Sequence, residues 1–305
     1  MKKICTVLLV AILLVLACCG CNNSGAKDVA CYLLSSSNSL AADASKYLAD
    51  ASESKWWNGV SFQSDSAKKE MTVEFQGKTY TGSYSCSYYD NYNSFATDYY
   101  DGEDGLEFGI NENSGKLVYI NLKTQSFFEE EPLLPEKPEI EEESAKIAKE
   151  VAAQFADISE YEFISSYVTP YQPDEGQKPS MSFYTYTYCK TINGVNSSAY
   201  ISVQVTSKGN IASVVVGDID AFEGEALQQA KVYKNIDVDG TVLDVMKKIT
   251  KDLNSPTCKI EKEYYSVTPD GELVVAVRAS CSFYEKIDGE LSDYPSGIGY
   301  ELIIK

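Results

Sequence analysis

The run Phe183-Tyr184-Thr185-Tyr186-Thr187-Tyr188-Cys189 sets tyrosine at every second position. A period of two is the period of a β-strand, so Tyr184, Tyr186 and Tyr188 share one face of an extended segment. Ala199 to Val205 repeats the pattern, with Ala199, Ile201, Val203 and Val205 pointing one way and Tyr200, Ser202 and Gln204 the other. Ser207-Lys208-Gly209 then supplies turn residues, and Ile211 to Val216 returns. The chain around 181–216 must therefore be sheet.

Just upstream the period changes. In Ser144 to Ile158, the residues Ile147, Ala148, Val151, Ala152 and Phe155 fall on one side of a helical wheel. Glu141, Glu142 and Glu143 suit the positive end of the helix dipole, and Ser144 is the expected N-cap. A second helix is expected over Val242 to Leu253, with Thr241 and Asp244 as a capping box. A weaker helical stripe lies in Ser39 to Ser52, ahead of Trp56-Trp57. Strands are expected over Met71 to Phe75 and Thr79 to Tyr89 across Gln76-Gly77-Lys78. Further pairs flank Asn113-Ser114-Gly115 and Pro269-Asp270-Gly271. The segment Phe127 to Glu143 carries Glu129-Glu130-Glu131 and three prolines, a solvated, stiffened connection.

The N-terminus reads as an export signal. Lys2 and Lys3 precede an apolar run from Thr6 to Ala17, short for a membrane span, and Cys18, Cys19 and Cys21 follow. An apolar run, a small residue and then cysteine resembles a bacterial lipoprotein signal. The resemblance implies a diacylglyceryl group on Cys18, with Cys21 after Gly20 as the fallback. The lipid would hold the chain to the outer face of the membrane through an Asn-Ser-Gly tether.

Composition removes several function classes. The formal charge is −19, and loss of Lys2 and Lys3 with the leader takes it to −21. Phosphate repels such a chain, so no nucleic-acid partner is expected. There is no histidine, hence no Ser-His or Cys-His pair and no ordinary zinc site. No GxSxG, P-loop or GxGxxG motif occurs. The expectation is a non-enzyme with no cofactor and no metal. The acidic stretch Asp98 to Asp104 reads as a solvated turn, with calcium ligation as its alternative.

The turns at Ser114-Gly115-Lys116, Lys208-Gly209-Asn210 and Asp270-Gly271-Glu272 each open a strand, and each follows, further back, a helical run. That order reads as a divergent repeat. Three stretches carry a family likeness: Glu143 to Glu150 with Ile158-Ser159-Glu160-Tyr161, the strand–turn–strand Tyr200 to Val216, and the turn Asn113 to Lys116 with Leu117 to Ile120. Over about Gly105 to Gly217 the chain resembles the PepSY-type, cystatin-like repeat proteins of Gram-positive bacteria, including the YPEB-like group. The resemblance implies an α+β fold of repeated small units, each an antiparallel sheet with a helix packed on one face. The expected division is a leader over 1–17, anchor and tether over 18–38, and units over 39–128, 129–223 and 224–305. Such proteins are associated with inhibiting, chaperoning or regulating envelope peptidases, and no catalytic residue transfers.

Two functions follow as expectations. One is an anchored protein-interaction module acting on an envelope protein or peptidase. The other is a binder of glycan or a small ligand through Tyr184, Tyr186, Tyr188 and Tyr200, if those rings are exposed rather than packed. Cys258 and Cys281 flank Pro269-Asp270-Gly271. If Thr268 pairs with Gly271 they lie opposite each other, within disulfide reach. If a type I turn with a Gly bulge forms instead, they point to opposite faces. For the leader, mass spectrometry of the mature N-terminus is expected to find diacylglyceryl-cysteine at Cys18; a chain beginning at a residue other than cysteine would refute the anchor.

Overall fold

The computed structural model describes residues 29–33, 61–89, 93–124, 127, 142–171, 181–206, 209–223, 227, 230, 238–268 and 271–304. Sixteen strands and two α-helices occur among them. The chain divides into a larger unit, Ala49–Lys231 with Lys262–Val277, and a smaller one, Met1–Leu48 with Val232–Glu261 and Arg278–Lys305.

In the larger unit a run of hairpins builds one sheet. The strands are β2 (Ser61–Phe62), β3 (Glu70–Phe75), β4 (Lys78–Tyr89), β5 (Ala96–Gly102), β6 (Glu107–Asn111) and β7 (Leu117–Asn121). After helix α1 (Glu142–Ala152) come β8 (Tyr161–Tyr171), β9 (Met181–Ile192), β10 (Val195–Thr206) and β11 (Ile211–Val216). Antiparallel pairing runs from β8 through β9, β10, β11, β7, β6 and β5 to β4, which carries β3 and β2 on its far side. β12 (Asn254–Val267) joins β10 in parallel, Asn196 to Tyr264. In the smaller unit β1 (Val29–Leu33) pairs antiparallel with β16 (Ser296–Ile304), and helix α2 covers Val238–Ile249. β13 (Leu273–Tyr284) follows β12 across the Gly271 turn, and β14 (Lys286–Ile287) with β15 (Glu290–Leu291) makes a two-stranded ribbon.

This overturns the expected plan of repeated small sheets, each with its own helix. The strands instead form a large mixed sheet, with two helices for sixteen strands among the described residues. β7 and β11 pair edge to edge through Ser213–Asn121, Val214–Ile120 and Val215–Tyr119. An edge strand carries unpaired amides and carbonyls, and pairing two edges satisfies both rows at once. The periodicity of each strand was legible, but periodicity says nothing about which edges meet. The 39–52 stripe and Trp56-Trp57 lie outside the described residues.

Helix α1 packs on the β9–β10 face by the stripe read from its sequence. Ala148, Val151 and Ala152 are buried, with Ile147 and Phe155 packed against the same core. That core also takes Phe108, Ile120, Ile201, Val203, Val205 and Val214 from the sheet. Two capping expectations are corrected. The helix begins at Glu142, so Ser144 lies inside it, and its hydroxyl meets the Tyr186 hydroxyl at 2.5 Å instead of capping. α2 begins at Val238, so Thr241 sits within the helix rather than ahead of it. Its apolar face holds, with Val242, Met246 and Ile249 buried.

Gly217 shows how closely β10 and the end of β11 approach. A Cβ there would lie 2.3 Å from the Ser198 carbonyl oxygen and 2.5 Å from Tyr200 Cδ1. The first obstacle is backbone and cannot swing aside. Gly217→Ala is expected to cost roughly 1–3 kcal/mol through overpacking, read as a lowered urea midpoint with unchanged m-value; a wild-type midpoint would refute this contact.

Candidate functional site

The four tyrosines singled out by sequence do not form one open face. Tyr184, Tyr186 and Tyr188 are buried, at 0%, 1% and 6% exposure. They pair with Val205, Val203 and Ile201 on the helix-covered side of the sheet. Tyr186 reaches Ser144 of α1, and the Tyr188 hydroxyl donates to the Ala145 carbonyl at 3.5 Å. Tyr200 pairs with Cys189 and so points to the opposite face, where its ring lies against Gly217. The rings are packing elements, because a helix with its own apolar stripe covers the three that align. Cys18 and Cys21 lie outside the described residues. Asp98 to Asp104 divides in two: Asp98 is buried on β5, whereas Asp101, Glu103 and Asp104 are exposed, the last two in the turn Glu103–Gly105, so the expected solvated turn holds only for its second half. The Ser87 hydroxyl donates to the Asp98 carboxylate and itself lies 2.8 Å from the Tyr84 hydroxyl, an internal network that ties β4 to β5.

The larger unit carries a half-open cavity of about 540 Å³ at the end of α1. Its apolar wall is Phe75, Phe95, Val118, Phe155 and Ile219, and Lys116 and Asp220 stand at its rim. The β3–β4 hairpin supplies one side. Gln76 and Gly77 both take positive φ, 53° and 71°, the geometry of a two-residue hairpin turn. That turn leaves Phe75 against Phe155, with ring centroids 6.2 Å apart. Lys116 Nζ donates to both carboxylate oxygens of Asp220, at 2.7 and 3.0 Å. The pair is exposed and adds little to stability.

Asp218 holds the opposite wall. It is buried, and its carboxylate accepts from the Ser94 backbone N–H and the Ser94 hydroxyl, each at 2.8 Å. Phe95 and Ile219, the neighbours of these two residues, both line the cavity. Burial pushes the Asp218 carboxyl up to about 6, and the two Ser94 hydrogen bonds only partly offset it.

The second feature is the outer strand of the same sheet. β8 pairs with β9 and with no other strand among the described residues. Phe163, Ile164 and Tyr167 are exposed on it, Phe163 and Tyr167 at 55% each. The pairing jumps from Phe163–Tyr188 to Ser165–Thr187, so Ile164 is a bulge. Past it, Tyr167 pairs with Thr185, on the face away from the helix, while the Phe163 ring sits 5.8 Å from Tyr188 on the helix side. Sequence reading passed over these residues. Their signal was the adjacent pair Phe163-Ile164, which breaks the alternation of an otherwise extended run.

No protein-family model matches the chain, and no curated protein matches it. Among solved structures, an uncharacterized protein from Eubacterium rectale ATCC 33656 is similar to it, at 11% identity over 76% of this chain and 72% of that chain, with a TM-score of 0.29. Likeness at that level carries no argument about function.

Asp218 generates a pH dependence with a definite sign. Its folded-state pKa lies above the ordinary value of 3.8. The native state therefore binds the proton more tightly than the unfolded chain does. The stabilisation is fully present below about pH 4 and is lost as pH rises to about 6. Asp218→Asn removes this slope. Relative to wild type, the variant is expected to gain stability between pH 4 and pH 7, by up to roughly 3 kcal/mol. Urea unfolding of both proteins across that range checks it, and a constant difference would refute the assignment.

Proposed function

We propose that the chain is a lipid-anchored, non-enzymatic interaction module outside the cell membrane, whose β8 edge takes an extended segment of an envelope protein. The observation that carries this reading is that β8 has no strand partner other than β9 among the described residues. An unpaired edge offers a row of N–H and C=O groups to an incoming strand, and exposed side chains on both faces grip it. Phe163 and Tyr167 stand on opposite faces of β8, so an added strand would meet one aromatic anchor on each.

The edge is also limited in length. The Ile164 bulge closes it at one end, and Pro170, which has no amide hydrogen, closes it at the other. The window for pairing is Ser165 to Thr169. Glu162 is exposed beside it on a chain of net charge −19, while Glu160 is paired with Lys190 at 2.8 Å, so the fitting segment is extended and basic. The resemblance to PepSY-type proteins adds envelope peptidases, or their regulators, as the partner class. The lipid signal at Cys18 supports the location. Among the described residues no helix is long and apolar enough to cross a membrane.

The test uses peptides displayed on phage and selected against the full-length chain. Selected peptides are expected to be extended and rich in Lys and Arg, and to protect the Ser165–Thr169 amides from hydrogen exchange. Phe163→Lys and Tyr167→Lys should each weaken binding by roughly tenfold or more without lowering stability. Protection around Phe75 and Phe155 instead would assign binding to the cavity and overturn the edge reading.

A further inference from the structure

The cavity at the end of α1 is walled by separate parts of the larger unit. Phe75 comes from the end of β3, Phe95 from the residue before β5, Val118 from β7 and Phe155 from just past α1. Phe75, Phe95 and Val118 are buried in one core with the stripe of α1, so the wall belongs to the folded interior. The mouth is held as firmly. Asn111 Oδ1 accepts from the Asn113 and Ser114 N–H groups at 2.8 and 3.0 Å, and Asn111 N donates to Lys116 O at 2.9 Å. The turn that carries Lys116 is thereby closed on itself. On the other side, the two Ser94–Asp218 hydrogen bonds tie the segment of Phe95 to that of Ile219. A site whose walls are already in place needs little ordering when a ligand enters.

Size, wall and charge together narrow the ligand. A volume of about 540 Å³ falls within the roughly 300–1,000 Å³ of small-molecule sites. The apolar wall favours an apolar body, whose entry removes both surfaces from water. Phe75, Phe95 and Phe155 bring three phenyl rings, and ring faces attract cations as well as apolar groups. The charged side chains lining the cavity are two carboxylates, Glu74 and Asp220, and one ammonium, Lys116. Asp220 engages Lys116 through both carboxylate oxygens. Glu74 is exposed and has no ion-pair partner among the described residues, and Lys78 lines a different pocket beyond Gln76. One negative charge is thus in excess at the mouth. Asp218, pushed up only to about 6, is mostly ionised at neutral pH and adds to it from behind the wall. An anionic ligand would be repelled both here and by the chain as a whole.

We propose that this cavity binds a small organic cation with an aromatic body, the ring lying among Phe75, Phe95 and Phe155 and the ammonium held at the mouth by Glu74 and Asp220. The site shares no lining residue with the β8 edge and stands independently of it. Charge then sets the order of affinity for ligands of one shape: ammonium first, the neutral isostere second, the carboxylate last. Lys116 acts against the ligand. Its charge opposes the ammonium and its donors occupy Asp220, so removing it strengthens binding. Glu74, Lys116 and Asp220 are all exposed, and the Lys116–Asp220 pair contributes little to folding, so each can be neutralised with the fold intact.

The experiment titrates the full-length chain at neutral pH with 2-phenylethylammonium, 2-phenylethanol and 3-phenylpropionate, following the methyl resonances of Val118 and Ile219 by NMR. The ammonium probe is expected to shift both sets of methyls saturably and to bind most tightly, with the carboxylate weakest. Glu74→Gln and Asp220→Asn are each expected to weaken the ammonium probe by roughly two- to fivefold, and Lys116→Gln to strengthen it by a similar factor. The alcohol should bind all four proteins alike. Equal affinity for the three probes would overturn the proposal, as would an ammonium affinity that the three variants leave unchanged. Absence of any shift at Val118 and Ile219 would overturn it too, and neither that result nor the first depends on a variant folding. Shifts confined to Phe163 and Tyr167 would overturn the cavity site and leave the β8 reading standing.

Discussion

The pairing of β7 with β11 is the contact on which the larger unit depends. Three residue pairs join a five-strand hairpin series, β3 to β7, to the strands that follow α1. Ile120 and Val214 face each other in that seam and are buried completely or nearly so. Without it, each half would expose a row of backbone donors and acceptors together with half an apolar face. With it, one core runs from Phe75 and Phe108 through Ile120 to Val203 and the stripe of α1. A single helix can then serve strands from both halves.

The consequences for binding follow from where that continuous sheet stops. The β3–β4 hairpin tip comes to rest against Phe155 at the end of α1, and the space left between them is the cavity. Its walls are held by long-range contacts rather than by local turns: Ser94 and Asp218 are 124 residues apart. At the other side of the unit the sheet ends at β8, where no described strand follows. A bulge and a proline shorten this edge without covering it. Natural sheets use such devices to discourage unwanted pairing, and here they leave a short, aromatic-flanked window.

Burial also explains why the tyrosine ladder is structural. Three aromatic rings in register on one strand face present a large apolar area, and α1 has a matching stripe of small residues, Ala148 and Ala152 among them. Small residues on the helix leave room for the rings beneath it. The polar tips are then met by α1 itself, Tyr186 by Ser144 and Tyr188 by the Ala145 carbonyl. Serine at that position is thus explained by a tyrosine 42 residues away rather than by capping.

By itself the sequence determined what is local. The alternation at 183–189 and 199–205 specified strands and the face each side chain takes. The spacing of Ala148, Val151 and Ala152 specified a helix and its buried stripe. The glycines with positive φ, such as Gly77 and Gly271, marked turns. These follow from periods and φ preferences, which act within a few residues. Only the tertiary structure decided which edges pair, and so whether there are several small sheets or a large one. It also decided the parallel partner of β10 and the exposure of Phe163 and Tyr167. Each of these rests on backbone hydrogen bonds or a one-residue register shift between distant segments. Such bonds are chemically alike at every strand edge, so no side-chain pattern distinguishes the edge that is covered from the edge that is left free.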